Sequence, residues 1–332
     1  MSRNSTLGLI VKDYLKKFPN SATHALSRKI YDENKESFKN VEYTRQLIKY
    51  YRGSNGKGSQ KYLKDKSFLS KGEDRNIRFE LPESWAEYPE KFNLPVTNKK
   101  ILVLSDIHIP YHDVEAVQLA IDKGVNDGCD TVYLNGDILD FFKLSFHEKD
   151  ARNRPTLKQE LAMAKEFFQY LRYKLPNATI YFKPGNHEHR LERYLVIKAP
   201  ELLDCEEFKL NVLLELEKFK IIYIDKRTKV YFGHLLVEHG DRMKGTGGVN
   251  PSRTLFTKYK RHVLVGHFHR KSEHSEKIYD GKLISTFSTG CLCELEPEYF
   301  EVNNHVHGMA IVTMNGDYFK VDNYLIENGE LF

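Results

Sequence analysis

Five short polar clusters hold most of the chemistry this chain can offer. They are Ser105-Asp106-Ile107-His108, Gly136-Asp137-Ile138-Leu139-Asp140, Gly185-Asn186-His187-Glu188, Glu238-His239-Gly240-Asp241 and Gly266-His267-Phe268-His269. Carboxylate, imidazole and carboxamide groups together suit Mn, Fe, Zn or Ni, whereas a pure Mg or Ca site is built from oxygen. Taken singly, each cluster has a plain structural reading, because Asp-x-His is common and a lone buried histidine is usually a satisfied core residue. Five in order, each delivering Asp, His or Asn, point to a single site.

The elements that must position them are legible as well. Each cluster follows a short apolar run: Ile101–Leu104, Thr131–Leu134, Ile180–Phe182, Leu235–Glu238 and Val263–Val265. Such runs read as buried strands. Helical spacing intervenes, notably at Leu157–Tyr173 and Pro251–Lys260. Strands alternating with helices predict an α/β domain with substantial parallel sheet. In such sheets ligands bind just beyond the carboxyl ends of strands, so five strand exits would converge. Near the C-terminus, Met309–Met314 and Asp317–Tyr324 flank Asn315-Gly316, a strong hairpin signal.

As an ordered set, Asp-x-His, Gly-Asp-x-x-Asp, Gly-Asn-His-Glu, His and Gly-His-x-His resembles the calcineurin-like metallophosphoesterases, over roughly residues 99–325. The resemblance implies a four-layer α/β/β/α sandwich, two packed sheets with helices outside. It implies two divalent ions, one bound by Asp106, His108 and His269, the other by Asn186, His239 and His267, with Asp137 bridging. Mn is the first choice, with Fe, Zn, Ni or Mg as alternatives. Two metals about 3.5–4 Å apart share a hydroxide that attacks phosphorus in line, while the ions absorb developing charge. By the same pattern His187 would protonate the leaving alkoxide, and Asp140 would orient and charge-stabilise it. A helix N-cap is the other reading of Asp140.

Substrate contacts are less sharply marked. His112 either lines the cleft or sits in a surface turn. Arg190 either meets a substrate phosphate or pairs with a nearby Glu. Lys244, with Gly245, Gly247 and Gly248, forms a flexible loop running into Asn250-Pro251-Ser252-Arg253, a cap with proline at the first helical position. Arg253 there either helps hold an anion or merely enters the helix. Glu188 and His189 are expected to fix the third loop.

The first 66 residues lie outside the resemblance. Ile10, Tyr14, Leu15 and Phe18 give one helical face. Ser21 is the expected N-cap of a second helix, with Ala25, Leu26 and Ile30 inward. Asn40 caps a third, with Val41, Thr44, Leu47, Ile48 and Tyr51 at helical spacing and Gly53 as the stop. The expectation is a small, basic, helix-turn-helix-like domain over 1–66, a linker over 67–98 anchored by Trp85, and a catalytic domain over 99–332. Arg45, Lys49, Arg52 and Lys57, with Lys61, Lys64 and Lys66 beyond, would meet nucleic-acid phosphates. The competing reading is a solvated basic face on a protein-docking cap.

Charge agrees with a basic head. Residues 1–100 carry 21 Lys and Arg against 12 Asp and Glu, a balance of +9 in a chain of net +5, so the remainder carries −4. No apolar run is long enough to span a bilayer and the N-terminus lacks a secretory h-region, making the cytoplasm the default location and a membrane partner unexpected. Cys129, Cys205, Cys291 and Cys293 show no disulfide framework. Cys291 and Cys293, one residue apart, read as two buried small hydrophobes.

Three functions remain. A phosphodiesterase or nuclease acting on nucleic acid leads, because of the basic head. A phosphatase of a small ester or phosphoprotein, with the head as docking module, is the alternative. A non-catalytic DNA-binding protein is disfavoured because no ligand motif is missing. Oligomeric state is not legible.

Overall fold

Amphipathic spacing accounts for the first part of the chain. In the computed structural model, which describes residues 6–64, 84–95, 97–146, 155–243, 245, 248–296 and 303–332, the chain divides into two compact units, Met1–Ala86 and Glu87–Phe332. In the first, α1 (Thr6–Lys17), α2 (Thr23–Glu33) and α3 (Val41–Tyr51) bury Val11, Leu15, Leu26, Ile30, Leu47 and Ile48 in a core of their own. A short α4 (Lys61–Lys64) follows. Asn40 caps α3, its side chain accepting from the Tyr43 N–H at 2.8 Å, and Gly53 ends it at φ +80°. The expected Ser21 cap is not used. The cap position is Ala22, without a side-chain bond, and Ala25 is exposed. Trp85 is almost fully exposed and anchors nothing.

The second unit is built on two sheets. Its elements are β1 (Lys91–Asn93), β2 (Lys100–Leu104), α5 (Val114–Asn126), β3 (Thr131–Asn135), α6 (Leu157–Lys174), β4 (Thr179–Lys183), α7 (His189–Lys198), α8 (Leu210–Leu213), β5 (Ile221–Tyr223), β6 (Lys229–Phe232), β7 (Leu235–Glu238), α9 (Pro251–Tyr259), β8 (Val263–Val265), β9 (Ser272–Lys277), β10 (Leu283–Ser288), β11 (His307–Asn315), β12 (Tyr318–Glu327) and β13 (Glu330–Leu331). One sheet has the order β13-β12-β11-β2-β3-β4-β5, the other β1-β6-β7-β8-β10-β9. Strands β2, β3, β4 and β5 run parallel to one another, as do β7, β8 and β10, while β11, β6 and β9 join them antiparallel.

Strand parity sorts the core into layers. Ile101 and Val103 of β2 face the second sheet and meet Val230, Phe232, Leu235 and Val237. Leu102 and Leu104, one residue out of phase, join the core under α5, α6 and α7. On the far face of the second sheet, Leu236, Val263 and Val265 pack with Leu255 of α9. The result is helix, sheet, sheet, helix, as the resemblance implies.

Two boundaries differ from expectation. Lys91–Asn93 lies in the stretch read as linker, yet it pairs in parallel with Lys229–Tyr231 as an edge strand. Three residues with proline nearby give too little periodicity to be read as a strand. The hairpin loop is Gly316-Asp317, because Asn315 still pairs with Tyr318.

Candidate metal centre

All five clusters leave the carboxyl ends of β2, β3, β4, β7 and β8 and meet at one place. Asp106, His108, Asp137, His267 and His269 have φ between +52° and +65°. Non-glycine residues rarely adopt that left-handed conformation unless the surroundings impose it. Glycine makes room for the close approach. A Cβ on Gly185 would lie 2.3 Å from Asp137 Oδ1, and one on Gly266 2.4 Å from Asp106 Oδ2.

Each carboxylate is half used. Asp106 Oδ2 accepts from the Ser105 hydroxyl at 2.6 Å and the His267 N–H at 2.8 Å, which leaves Oδ1 buried without a hydrogen-bond partner. That oxygen lies 3.2 Å from His269 Nε2 and 4.0 Å from His108 Nε2. Asp137 Oδ1 accepts from the His187 N–H at 2.8 Å. Its Oδ2 stands between the two halves of the site, 3.9 Å from His108 Nε2 and 3.0 Å from His239 Nε2.

The histidines are oriented from behind. His239 Nδ1 meets the Asn135 carbonyl at 2.8 Å, and its Nε2 faces Asp137 and, at 3.1 Å, Asn186 Oδ1. His108 Nδ1 meets Asp140 Oδ1 at 3.2 Å, and its Nε2 lies 3.3 Å from His269 Nε2. When both outer nitrogens carry the proton, lone pairs and carboxylate oxygens all face inward. Such a donor set is repulsive unless a cation sits in it, and the orphaned Asp106 Oδ1 fits the same account. His267 joins Asp137 and His239 in a second close group. The residues therefore fit two divalent ions.

Protonation follows the same electrostatics. Burial works against charge on His239, yet the Asp137 and Asp106 carboxylates outweigh it and hold its pKa up to about 10. Burial also opposes charge on Asp106, which is nonetheless held below the usual carboxylate range, chiefly by His239 and His269.

His187 and Asp140 are adjacent. His187 Nδ1 lies 3.1 Å from Asp140 Oδ1 and 2.9 Å from the Asp140 carbonyl, and its Nε2 lies 3.8 Å from Asp137 Oδ2. Asp140 is no N-cap, since Phe141, in the left-handed conformation, opens the next turn. Among the described residues Arg190 pairs with Asp140 rather than a Glu. Its Nη1 donates to the Asp140 carbonyl at 2.8 Å and its Nη2 lies 3.1 Å from His187 Nε2. Glu188 ties two motifs together, accepting from the N–H groups of Gly185, Asp137, Ile138 and Leu139 at 2.7–3.0 Å.

His112 pairs through its backbone with Cys293 and lines a depression of about 220 Å³ with Val114, Met163 and Tyr170. Arg253 is exposed in the first turn of α9, and the Asn250 side chain takes the Arg253 N–H at 3.0 Å, so the helix start is capped from within the chain. Lys244 lies outside the described residues. In the N-terminal unit Arg45 pairs with Glu42, Lys49 is half-buried and Lys57 is exposed. Arg52 is engaged within the helical unit. Its guanidinium donates to the Thr23 hydroxyl at 2.8 Å and the Ser21 carbonyl at 2.5 Å, pinning the end of α3 to the α1–α2 turn.

Sequence reading missed three neighbours of the site. Glu160 of α6 is buried and accepts from the Phe141 N–H, and burial raises its pKa to about 8. His305 lies against His269 with ring centroids 4.5 Å apart. Cys293 Sγ approaches His269 Nδ1 at 3.9 Å. A carboxylate inside an amphipathic helix, or a lone histidine ahead of a strand, carries no such signal.

The chain is similar to the Gene 54 protein of Mycobacterium phage D29, 26% identical over 244 residues, covering 67% of this chain and 92% of that one. The Gene 54 protein of Mycobacterium phage L5 is 24% identical over 239 residues with the same coverages. Among solved structures, Vps29 of Entamoeba histolytica complexed with zinc aligns at 12% identity and a TM-score of 0.37, over 70% of this chain and 96% of that one. The model of the calcineurin-like phosphoesterase family matches residues 99–289, more than half of the chain, and the chain belongs to that family.

Proposed function

We propose that the protein is a dinuclear metal-dependent phosphodiesterase acting on nucleic acid. The observation that carries the hydrolytic reading is the intact donor set with His187 beside it. Asp106, His108 and His269 would hold one ion, Asn186, His239 and His267 the other, and Asp137 both. Mn2+ suits this mix of donors. When bound, the ions supply Lewis-acid stabilisation of phosphate charge and lower the pKa of water.

The remaining chemistry belongs to the chain. Hydrogen bonding of His187 Nδ1 to Asp140 leaves Nε2 to carry and release the second proton. Burial opposes that proton, but Asp137 and Asp140 outweigh it and raise the His187 pKa. Arg190, at 3.1 Å from Nε2, works the other way and favours release to the leaving oxygen. Asp140 serves ligand and acid at once, since the same Oδ1 faces His108 and His187.

The nucleic-acid substrate rests on the +9 balance of residues 1–100 and on the exposed Lys57 and part-exposed Lys49 of the helical unit. A phosphodiester polymer is the anion such a surface fits. The test is hydrolysis, with Mn2+, of bis-p-nitrophenyl phosphate, p-nitrophenyl phosphate and labelled single- and double-stranded DNA and RNA. Cleavage of the diester and a nucleic acid supports the proposal. Turnover of the monoester alone would replace it with a phosphatase.

A further inference from the structure

Beyond the carboxyl ends of β4 and β5 lies a cavity of about 340 Å³. Leu191 and Leu195 of α7 give it an apolar wall, and Phe208, Asn211, Tyr223 and Lys226 also line it. Pockets for small organic ligands run from about 300 to 1,000 Å³, so this one holds a single ring system with its sugar rather than a helix.

The cavity shares a wall with the metal loop. Pro184 and Glu188 line it and stand on either side of Gly185-Asn186-His187. Each is two residues from the ligand Asn186, a span of at most about 7 Å along the chain. Lys226 ties the two together, donating to the Gly185 carbonyl at 2.9 Å and pairing with Asp241 at 3.0 Å. A group bound here is therefore next to a phosphate held at Asn186.

The lining selects a neutral, flat ligand with a polar edge. Its cationic side chains are engaged within the chain, Lys226 with Asp241, Lys209 with Glu206 and His189 with Glu192, which leaves little to hold a second phosphate. Tyr223 ends the edge strand β5. Its ring stacks on Phe182, with centroids 6.4 Å apart and planes at 21°, and 36% of the residue remains exposed. The Tyr223 hydroxyl and the Asn211 carboxamide make no hydrogen bond among the described residues. A carboxamide offers a donor and an acceptor side by side, the pair that matches the edge of a base. An aliphatic chain in the same place would leave that amide unpaired.

We propose that this cavity is a subsite for an unpaired nucleobase beside the scissile phosphate, with Tyr223 as its stacking platform and Asn211 reading its edge. This rests on the nucleic-acid reading above and narrows it to unpaired strands. A base inside a duplex has its faces stacked and its edge paired, so it cannot enter such a cavity without leaving the helix.

The experiment uses the full-length protein with Mn2+ and short labelled single-stranded DNA and RNA, each intact or carrying one abasic residue, with the cut bonds mapped on gels. Bonds beside the abasic residue should be cut about 5- to 150-fold more slowly than the same bonds in the intact strand, the range for one stacked base. Tyr223→Ala should lose a similar factor on the intact strand, and the two changes together should cost no more than one of them. Tyr223→Phe, which keeps the ring, should retain most of the rate. Asn211→Ala, which removes no packed ring, should narrow the differences in rate among strands of the four bases. Losses from Tyr223→Ala and from the abasic residue that multiply in full would overturn the subsite, as would bonds beside an abasic residue cut at the intact rate. Wild-type protein that cuts no strand would overturn the nucleic-acid reading, and the subsite with it.

Discussion

The Nδ1 of His187 is held by Asp140 twice, at 2.9 Å by the main-chain carbonyl and at 3.1 Å by Oδ1. A ring fixed at that edge turns its other nitrogen, Nε2, toward Asp137 at 3.8 Å and Arg190 at 3.1 Å. Replacing His187 by Ala should lower kcat about 10²- to 10⁴-fold, the usual range for a lost general acid. The loss should be smaller for a p-nitrophenolate leaving group than for an alkoxide, since the former needs no proton. Steady-state kinetics on both esters tests this, and equal losses would remove His187 from the acid's role.

Metal uptake should release protons. Asp137 and Asp106, against the opposing effect of burial, hold the His239 pKa at about 10, so at pH 7.5 the metal-free residue is charged. A ligand histidine must be neutral. Calorimetric titration of Mn2+ in buffers of different ionisation enthalpy should give close to one proton released per chain from this residue. Affinity should rise with pH.

The same group gives the metal-free protein a pH-dependent stability. A histidine pKa raised on folding stabilises fully below its unfolded value, about 6.5. That contribution is lost as pH rises through about 10. Melting temperature of the metal-free chain should therefore fall across that window, and saturating Mn2+ should flatten the fall.

Glu188 and Arg52 should behave as structural residues. Glu188 accepts four main-chain N–H groups, and Glu188→Gln turns an amide NH2 toward donors, a loss of about 1–3 kcal/mol. Arg52→Ala should lower the stability of the helical unit by a similar amount, whereas Lys49→Glu with Lys57→Glu should leave stability unchanged and weaken nucleic-acid binding. Thermal melts and salt-dependent binding separate the two effects, because removal of phosphate contacts lowers the slope of log K against log salt.

Strand exits were legible because apolar runs end abruptly in Asp, His or Asn, a pattern that needs no tertiary information. Strand parity also follows from the sequence, as Ile101 and Val103 against Leu102 and Leu104 illustrate. Other features depend on neighbours distant in the chain. Glu160 lies within an amphipathic helix and becomes a buried carboxylate only because Phe141 folds onto it. Arg52 has the spacing of a surface cation but is drawn into the α1–α2 turn by carbonyls some 30 residues earlier. Cys293 was read as a small hydrophobe, and its burial agrees. Its place beside His269 is set by the isolated bridges of Cys293 with His112 and of Cys291 with His307, which spacing alone does not encode. The edge strand Lys91–Asn93 is defined by its partner β6 rather than by its own residues.

The central claim is that one donor set holds two ions and that hydrolysis depends on both. Its most direct test is to titrate Mn2+ into metal-free protein while following bis-p-nitrophenyl phosphate hydrolysis and bound metal together, with Asp137→Asn in parallel. The account expects no turnover without metal, activity that rises only as the second equivalent binds, and an Asp137→Asn protein that retains neither the second ion nor the activity. Full activity in chelator, or two tightly bound ions with no diester turnover, would contradict it.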